Sequence, residues 1–291
     1  QEARARRTAP FVDRTRYTNW NAMMASAMLR AGAVLGDEQA SAHALATLRL
    51  VRRESPEPDA LAHTPGGITG LLDDQVQTAA AALDAYETTG DHDWLAWAEA
   101  IMARVWRDYW DESAGGFFDT ARERAAAEGL LGSRIKPMQD TPTPSPNGVA
   151  GVVLIRLHEL TGDPRWREHA EALVAAFAGA VPDLGLHGSA LLLAVDWLVN
   201  PAAHFVVIGE TGDETADAMH QAALAGFAPR RVVQRLTPAQ AAKHALPPAV
   251  AGMLTSGDGT RGYACRGTSC GLPADTLDAW REQLSPSPGS P

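Results

Sequence analysis

Two adjacent carboxylates, Asp73 and Asp74, stand at the start of an apolar segment of helical period. Like charges held this close raise one another's pKa once enclosed, so the pair offers a general acid. Glycosidic-bond hydrolysis needs two carboxyls about 5 to 9.5 Å apart, and neighbours on one helical turn rarely straddle a bond. Asp140, in the loop that follows Arg134, supplies the second carboxylate if that loop folds over the pair; the alternative is a carboxylate from hairpins upstream. Sugar epimerisation instead needs a base for a C–H proton, often a histidine, and His187 is placed for that role. A lone histidine is more often packing than catalysis; His43, His92, His158 and His169 sit on helical segments and read as surface or packing residues. Helix capping competes with the acid reading, because Asp and Asn are preferred N-caps and Asp73, Asn147 and Asn21 all fall near helix starts.

Trp20 is either a platform for a sugar ring or a core residue, and its place in an apolar register favours the core. Asn21, Asn147 and His187 join it as candidate substrate contacts. Arg134, Lys136 and Asp140 lie in a loop broken by Pro137, Pro142, Pro144 and Pro146, and rigid polar loops of this length commonly serve a site. Arg134 is expected either to clamp a carboxylate or phosphate, or to pair with Asp140. Cys265 and Cys270, the only cysteines, form a Cys-x4-Cys element. If Gly267 turns the chain they can bridge, and the readings are a structural or unpaired role, a reversible disulfide, or a metal site. Zinc wants four ligands and His244 is the only other one nearby, so no metal is assigned, and no cofactor either.

A recurring unit positions these residues. Gly36-Asp37, Gly90-Asp91 and Gly162-Asp163 each separate two helix-period segments, which makes each unit an antiparallel hairpin. Before the first turn Trp20, Met24, Ala27, Met28, Ala31 and Leu35 share a face; before the second, Val76, Ala80, Leu83 and Tyr86; before the third, Val149, Val153, Leu157 and Leu160. The first helix of each unit is apolar nearly all round and the second is charged on one side, so inner and outer layers alternate. The spacing lengthens from 54 to 72 residues, which favours an α/α toroid with inserted loops over a regular solenoid. Helices are expected near 20–36, 38–54, 74–89, 92–110, 147–161, 164–180 and 188–199. Seven are too few for a closed six-hairpin ring, so residues 1–200 are expected to be the C-terminal hairpins of an (α/α)6 toroid, with the first two or three hairpins upstream. Inner helices of a toroid run parallel, and their starts converge on one mouth carrying Asn21, Asp73, Asp74, Asn147 and His187.

Beyond Asn200-Pro201 the register changes. Strands are expected at His204–Gly209, Arg231–Leu236 and around Tyr263, with helices at Glu214–Phe227 and Pro273–Leu284; residues 201–291 thus form a small α/β subdomain whose end, 285–291, is a disordered tail. Acidic residues crowd the turn after Gly209, so a plain βα turn is preferred there over a phosphate site. A net charge of −10 with scattered arginines disfavours nucleic acid. No hydrophobic run reaches transmembrane length and no signal peptide is visible, so a cytoplasmic location without a membrane partner is expected.

Several elements together resemble the spermatogenesis-associated-protein-20-like family: Pro10 to Asp13 leading to Thr18-Asn19-Trp20-Asn21, then Leu72-Asp73-Asp74, Gly115-Gly116-Phe117-Phe118, Arg134-Ile135-Lys136 with Asp140, Pro144-Ser145-Pro146-Asn147, and Tyr263-Ala264-Cys265 with Cys270 and Pro273. The resemblance implies a six-hairpin glycosidase-like body preceded by a thioredoxin-like domain, and it raises the redox reading of Cys265 and Cys270, which that domain would serve as exchange partner. Gln75 and Ala22 depart from the aromatic and the glycine usual after the Asp-Asp and Trp-Asn pairs. The function expected is a carbohydrate-active or sugar-binding body acting on a small-molecule sugar ligand. The alternative is a noncatalytic body that positions a redox domain.

Overall fold

The computed structural model describes residues 2–125, 133–243, 246, 248–253, 259–267 and 269–284; His244 and the 285–291 tail lie outside them. Helices α1 (Thr18–Leu35) and α2 (Glu38–Glu54), α3 (Leu72–Thr89) and α4 (His92–Tyr109), and α5 (Pro146–Thr161) and α6 (Pro164–Phe177) form three hairpins, followed by α7 (Ser189–Val199). Short helical turns are left unnumbered.

The repeated Gly-Asp dipeptide explains each hairpin turn. Gly36, Gly90 and Gly162 all adopt φ 69°, the left-handed conformation that ends a helix and that glycine takes without a Cβ clash. The aspartate that follows caps the next helix: Asp37 accepts from the Gln39 and Ala40 amides, Asp91 from Asp93 and Asp163 from Arg165.

Inner helices pack in series, α1 on α3, α3 on α5 and α5 on α7, while α2, α4 and α6 lie outside. This is part of an (α/α)6 toroid. Gly148 and Gly151 let α7 approach α5, since a Cβ at either would come within 2.6 Å of an alanine Cβ, of Ala190 or Ala194. On the far side from the helix starts, buried Arg156 joins α5 to α3 by reaching Asp84 and Glu87 at 2.7 Å each.

The α1 register departs from expectation. Ala22, Ala25, Leu29, Gly32 and Ala33 are its buried face, whereas Trp20, Met24 and Leu35 are 58, 60 and 76% exposed. The small residues allow close approach of α3, and the large apolar stripe faces away from it. Periodicity locates an apolar face but does not say which of two apolar faces a neighbour covers. Trp20 is therefore not a core residue.

After the hairpins comes a four-stranded sheet of order β2-β1-β3-β4, with β1 (Ala203–Ile208), β2 (Arg231–Leu236), β3 (Arg261–Arg266) and β4 (Ser269–Cys270). The β1–β2 pair is parallel, connected through α8 (Glu214–Ala225), and β3 runs antiparallel to β1. α9 (Leu277–Leu284) packs its buried Trp280 on Met219 and Phe205. Buried polar groups join this part to the hairpins: Gln234 Nε2, itself met by His204 within the sheet at 2.8 Å, donates to Tyr86 Oη and to the Leu160 carbonyl, and His220 Nε2 of α8 meets the Glu87 carbonyl at 2.7 Å. No single helix among the described residues is long and apolar enough to cross a membrane.

Candidate functional site

Helices α1 and α3 begin without side-chain caps of their own, at Tyr17 and Leu71. The first-turn amides must then find partners elsewhere, because a helix start leaves four N–H groups unpaired. Asp74, in the first turn of α3, reaches across: its Oδ1 accepts from the Asn19 amide of α1 at 3.1 Å. The Asn19 side chain returns the bond, donating through Nδ2 to Asp73 Oδ2 at 2.5 Å. Asn19 thus ties both carboxylates to the start of α1. Gln77 Nε2 donates to Asp73 Oδ1 from one turn further along α3.

The two carboxylates differ in surroundings. Asp74 is 1% exposed, while Asp73 is only half-buried. Facing Asp74 is His63, whose Nδ1 lies 3.0 and 3.2 Å from its two oxygens. Burial pushes the Asp74 pKa up to about 6, against the opposing pull of His63 and the Asn19 amide and with a smaller push from the Asp73 charge. His63 comes from the connection between α2 and α3, where its own amide donates to the Ile68 carbonyl and its carbonyl accepts from Thr18. Tyr17 stands 5.1 Å from the His63 ring and 5.0 Å from that of Trp20. Carboxylates, imidazole and, across Tyr17, an exposed indole therefore gather at the end of the arc where α1 and α3 start.

Other candidate residues take different places. Asn21 donates to the Tyr17 carbonyl and lines a cleft shared with Arg16, Val51 and Glu54. Asn147 is completely buried, accepting from the Phe117 amide and donating to the Phe117 and Pro137 carbonyls. Ser145, not Asn147, caps α5, and neither Asp73 nor Asn21 caps its helix. Asn147 anchors the backbone at Phe117 and at Pro137 and presents nothing to solvent.

The proline-broken loop is braced inward. Arg134 donates through Nε and Nη2 to the Thr120 and Asp108 carbonyls and lies 4.0 Å over Phe118, with its bonds made to backbone and not to Asp140. Lys136 meets Asp111 at 2.6 Å, which holds that carboxyl well below its usual range. Asp140 accepts from the Ser145 amide through one oxygen and from the Ala190 amide through the other, joining the loop to the starts of α5 and α7. His187 is exposed, with Nδ1 3.3 Å from the Asp140 carbonyl. Asp140 and His187 are brought together with each other, bonded to the starts of α5 and α7.

Gln75 is fully buried, close to the Leu61 carbonyl, so the position after the Asp-Asp pair faces the interior. Cys265 and Cys270 are a directly opposed pair of β3 and β4 and form a disulfide across a turn in which Gly267 has φ 56°. No group of His, Cys, Asp and Glu able to hold a metal occurs among the described residues. His63 escaped the sequence reading because nothing in its local pattern marks it. Only the fold of the Ala62–Thr69 bridge brings it against Asp74.

Residues 4–124, which contain this mouth, match Glycosyl hydrolase family 76. Across the chain the likeness is different and longer. The chain is similar to spermatogenesis-associated protein 20. It is 25% identical to the human protein over 301 residues, covering 98% of this chain and 38% of that protein. The mouse protein is 29% identical over 191 residues, covering 61% of this chain and 24% of its own length. The chain therefore spans well under half the length of these relatives. Among solved structures, a GH76 alpha-mannanase of Bacteroides thetaiotaomicron superposes with a TM-score of 0.53 at 13% identity, over 78% of this chain and 64% of that one. The body is six-hairpin glycosidase-like in fold.

Proposed function

We propose that the mouth formed by Trp20, Asn19, His63, Asp73 and Asp74 is a carbohydrate site, and that the body is carbohydrate-active or sugar-binding. The observation that carries this reading is the carboxylate pair cross-tied by Asn19 beside an exposed Trp20. Sugar rings are bound by an aromatic face together with fixed polar groups, and glycosidic chemistry uses enclosed carboxyls of unequal proton affinity. Asp73 is the accessible member of the pair and Asp74 the buried one. The Glycosyl hydrolase family 76 match spans both.

Alpha-mannosides head the ligands to test, because the neighbour of like fold is an alpha-mannanase. Titration calorimetry with a panel of mannosides, glucosides and N-acetylhexosaminides should find a ligand whose binding is lost in Asp73→Asn and weakened in Trp20→Ala, with both variants folded. Absence of binding across the panel, to this chain and to a full-length relative, refutes the reading. A second reading rests on the Cys265–Cys270 disulfide, whose Cys270 side is only half-buried: a noncatalytic body in a cytoplasmic redox protein, exchanging disulfides with a thioredoxin-like domain. Trapping of a mixed disulfide by Cys265→Ser in a full-length relative tests it.

A further inference from the structure

Asp74 is too deeply enclosed to touch a ligand, yet it is the residue that meets His63. The His63 side chain is 28% exposed, and Nε2 makes no hydrogen bond among the described residues. We infer that His63 and Asp74 form a dyad in which the Asp74 carboxylate holds the ring through Nδ1 and leaves Nε2 at the mouth as the proton-exchanging atom.

The hydrogen bonding fixes the direction. An ionised carboxylate only accepts, so Nδ1 carries the hydrogen of a neutral ring and Nε2 is left with its lone pair. Above about pH 6 the Asp74 carboxyl is in that ionised form. The ring has little freedom to turn. Its backbone is bonded on both sides, to Ile68 and Thr18, and Tyr17 stands beside it. The titratable groups at the pair are Asp74 and Asp73 from α3 and Tyr17 immediately before α1, with the Asn19 amide as the remaining donor to Asp74. Asp74 is then a positioning residue and His63 the catalytic one.

The assignment rests on the carbohydrate reading for its ligand, a sugar hydroxyl or a water beside one. In the step it describes, the O–H bond breaks and an Nε2–H bond forms. The resulting imidazolium directs its other N–H at the Asp74 carboxylate, which stabilises the charge, and the proton returns by the same route. His63 accordingly names a residue class for this mouth that a carboxylate pair alone would not supply.

Long-range 1H–15N correlation spectra of the whole chain above pH 7, with His63→Gln providing the assignment, read the tautomer directly. The Nδ1–H form is expected in the wild type, and the Nε2–H form in Asp74→Asn, where the amide can donate to Nδ1. A wild-type ring in the Nε2–H form overturns the dyad, as does a folded Asp74→Asn variant with unchanged tautomer. Should that variant fail to fold, the wild-type tautomer decides alone. Methyl α-mannoside is then titrated in. Movement of the His63 Nε2 resonance together with the Trp20 indole supports proton exchange at the mouth; Trp20 movement with His63 unaffected overturns it. The expected tautomer with no response from any mouth residue, repeated for the other sugars of the panel, upholds the dyad and ends the carbohydrate reading.

Discussion

Replacing Asp74 by Asn keeps the outline of the side chain and removes its charge, and the fold should gain stability from the change. In the folded chain burial raises the carboxyl from 3.8 to about 6. A carboxyl harder to ionise when folded binds its proton more tightly there, so ionisation above the unfolded pKa costs the fold. Below pH 3.8 the group is protonated in both states and costs nothing; the cost grows from there and is complete above pH 6. At pH 8 the difference is worth about 3 kcal/mol, at pH 5 about half of that, and at pH 3 almost nothing. Asn carries no such cost, since its Oδ1 can accept from the Asn19 amide and its Nδ2 can donate to His63 Nδ1 in the places the Asp74 oxygens take. Spread over the unfolding entropy of 291 residues, the gain corresponds to roughly 5 °C in Tm. Thermal melts of wild type and Asp74→Asn at pH 8, 5 and 3 should therefore show a stabilisation that fades with acid. A variant less stable than wild type at pH 8 would refute the reasoning, because it would mean that attraction to His63 outweighs the cost of burying the charge.

Arg156→Met should cost about 3 to 5 kcal/mol in urea unfolding by leaving Asp84 and Glu87 buried without their cation, and adding Asp84→Asn with Glu87→Gln should recover most of it. Burial pushes His204 and His220 down to about 4, so each stays neutral when folded. Their contribution is full above pH 6.5 and is lost as pH falls toward 4, by about 3 kcal/mol each; His220→Gln should flatten that part of the pH–stability curve. Reduction of Cys265–Cys270 opens a loop of only about six residues and should cost about 2 kcal/mol. Hydrogen exchange should show it locally, at the Gly271 amide bonded to Ala264, with the α3 and α5 amides unaffected.

The hairpins were legible because each turn carries its own chemistry, a left-handed glycine followed by a capping aspartate. The βαβ order of the second part was legible from Val206–Val207 and Val232–Val233. The site was legible only in part. Asp73 and Asp74 announce themselves as an unusual pair, and Asn19 beside Trp20 looks like any first-turn residue until its amide is seen to serve Asp74. Asn147 and Asp140 resemble site residues in sequence because buried bracing and ligand binding use the same side chains. What separates them is whether every polar atom already has a backbone partner, and that depends on contacts made 30 and 50 residues away. His63 could not be found from spacing, since its partner is fixed by the fold of an irregular connection.

Capping offers a reason for a polar residue at position 74, and the magnitudes decide whether it is reason enough. A cap is worth about 0.5 to 2 kcal/mol, and Asn serves as well as Asp. Asp74 does satisfy an α1 amide, so that benefit is real. Keeping a carboxylate there above pH 6, however, costs about 3 kcal/mol more than keeping an amide of the same shape. Capping therefore accounts for a side-chain oxygen at this position but not for its charge. The remaining partner is the His63 ring, and a carboxylate does for an imidazole what an amide does not: it accepts from Nδ1 and stabilises the positive ring once Nε2 is protonated. The charge kept at Asp74 therefore has its counterpart in the hydrogen bond that holds His63 through Nδ1.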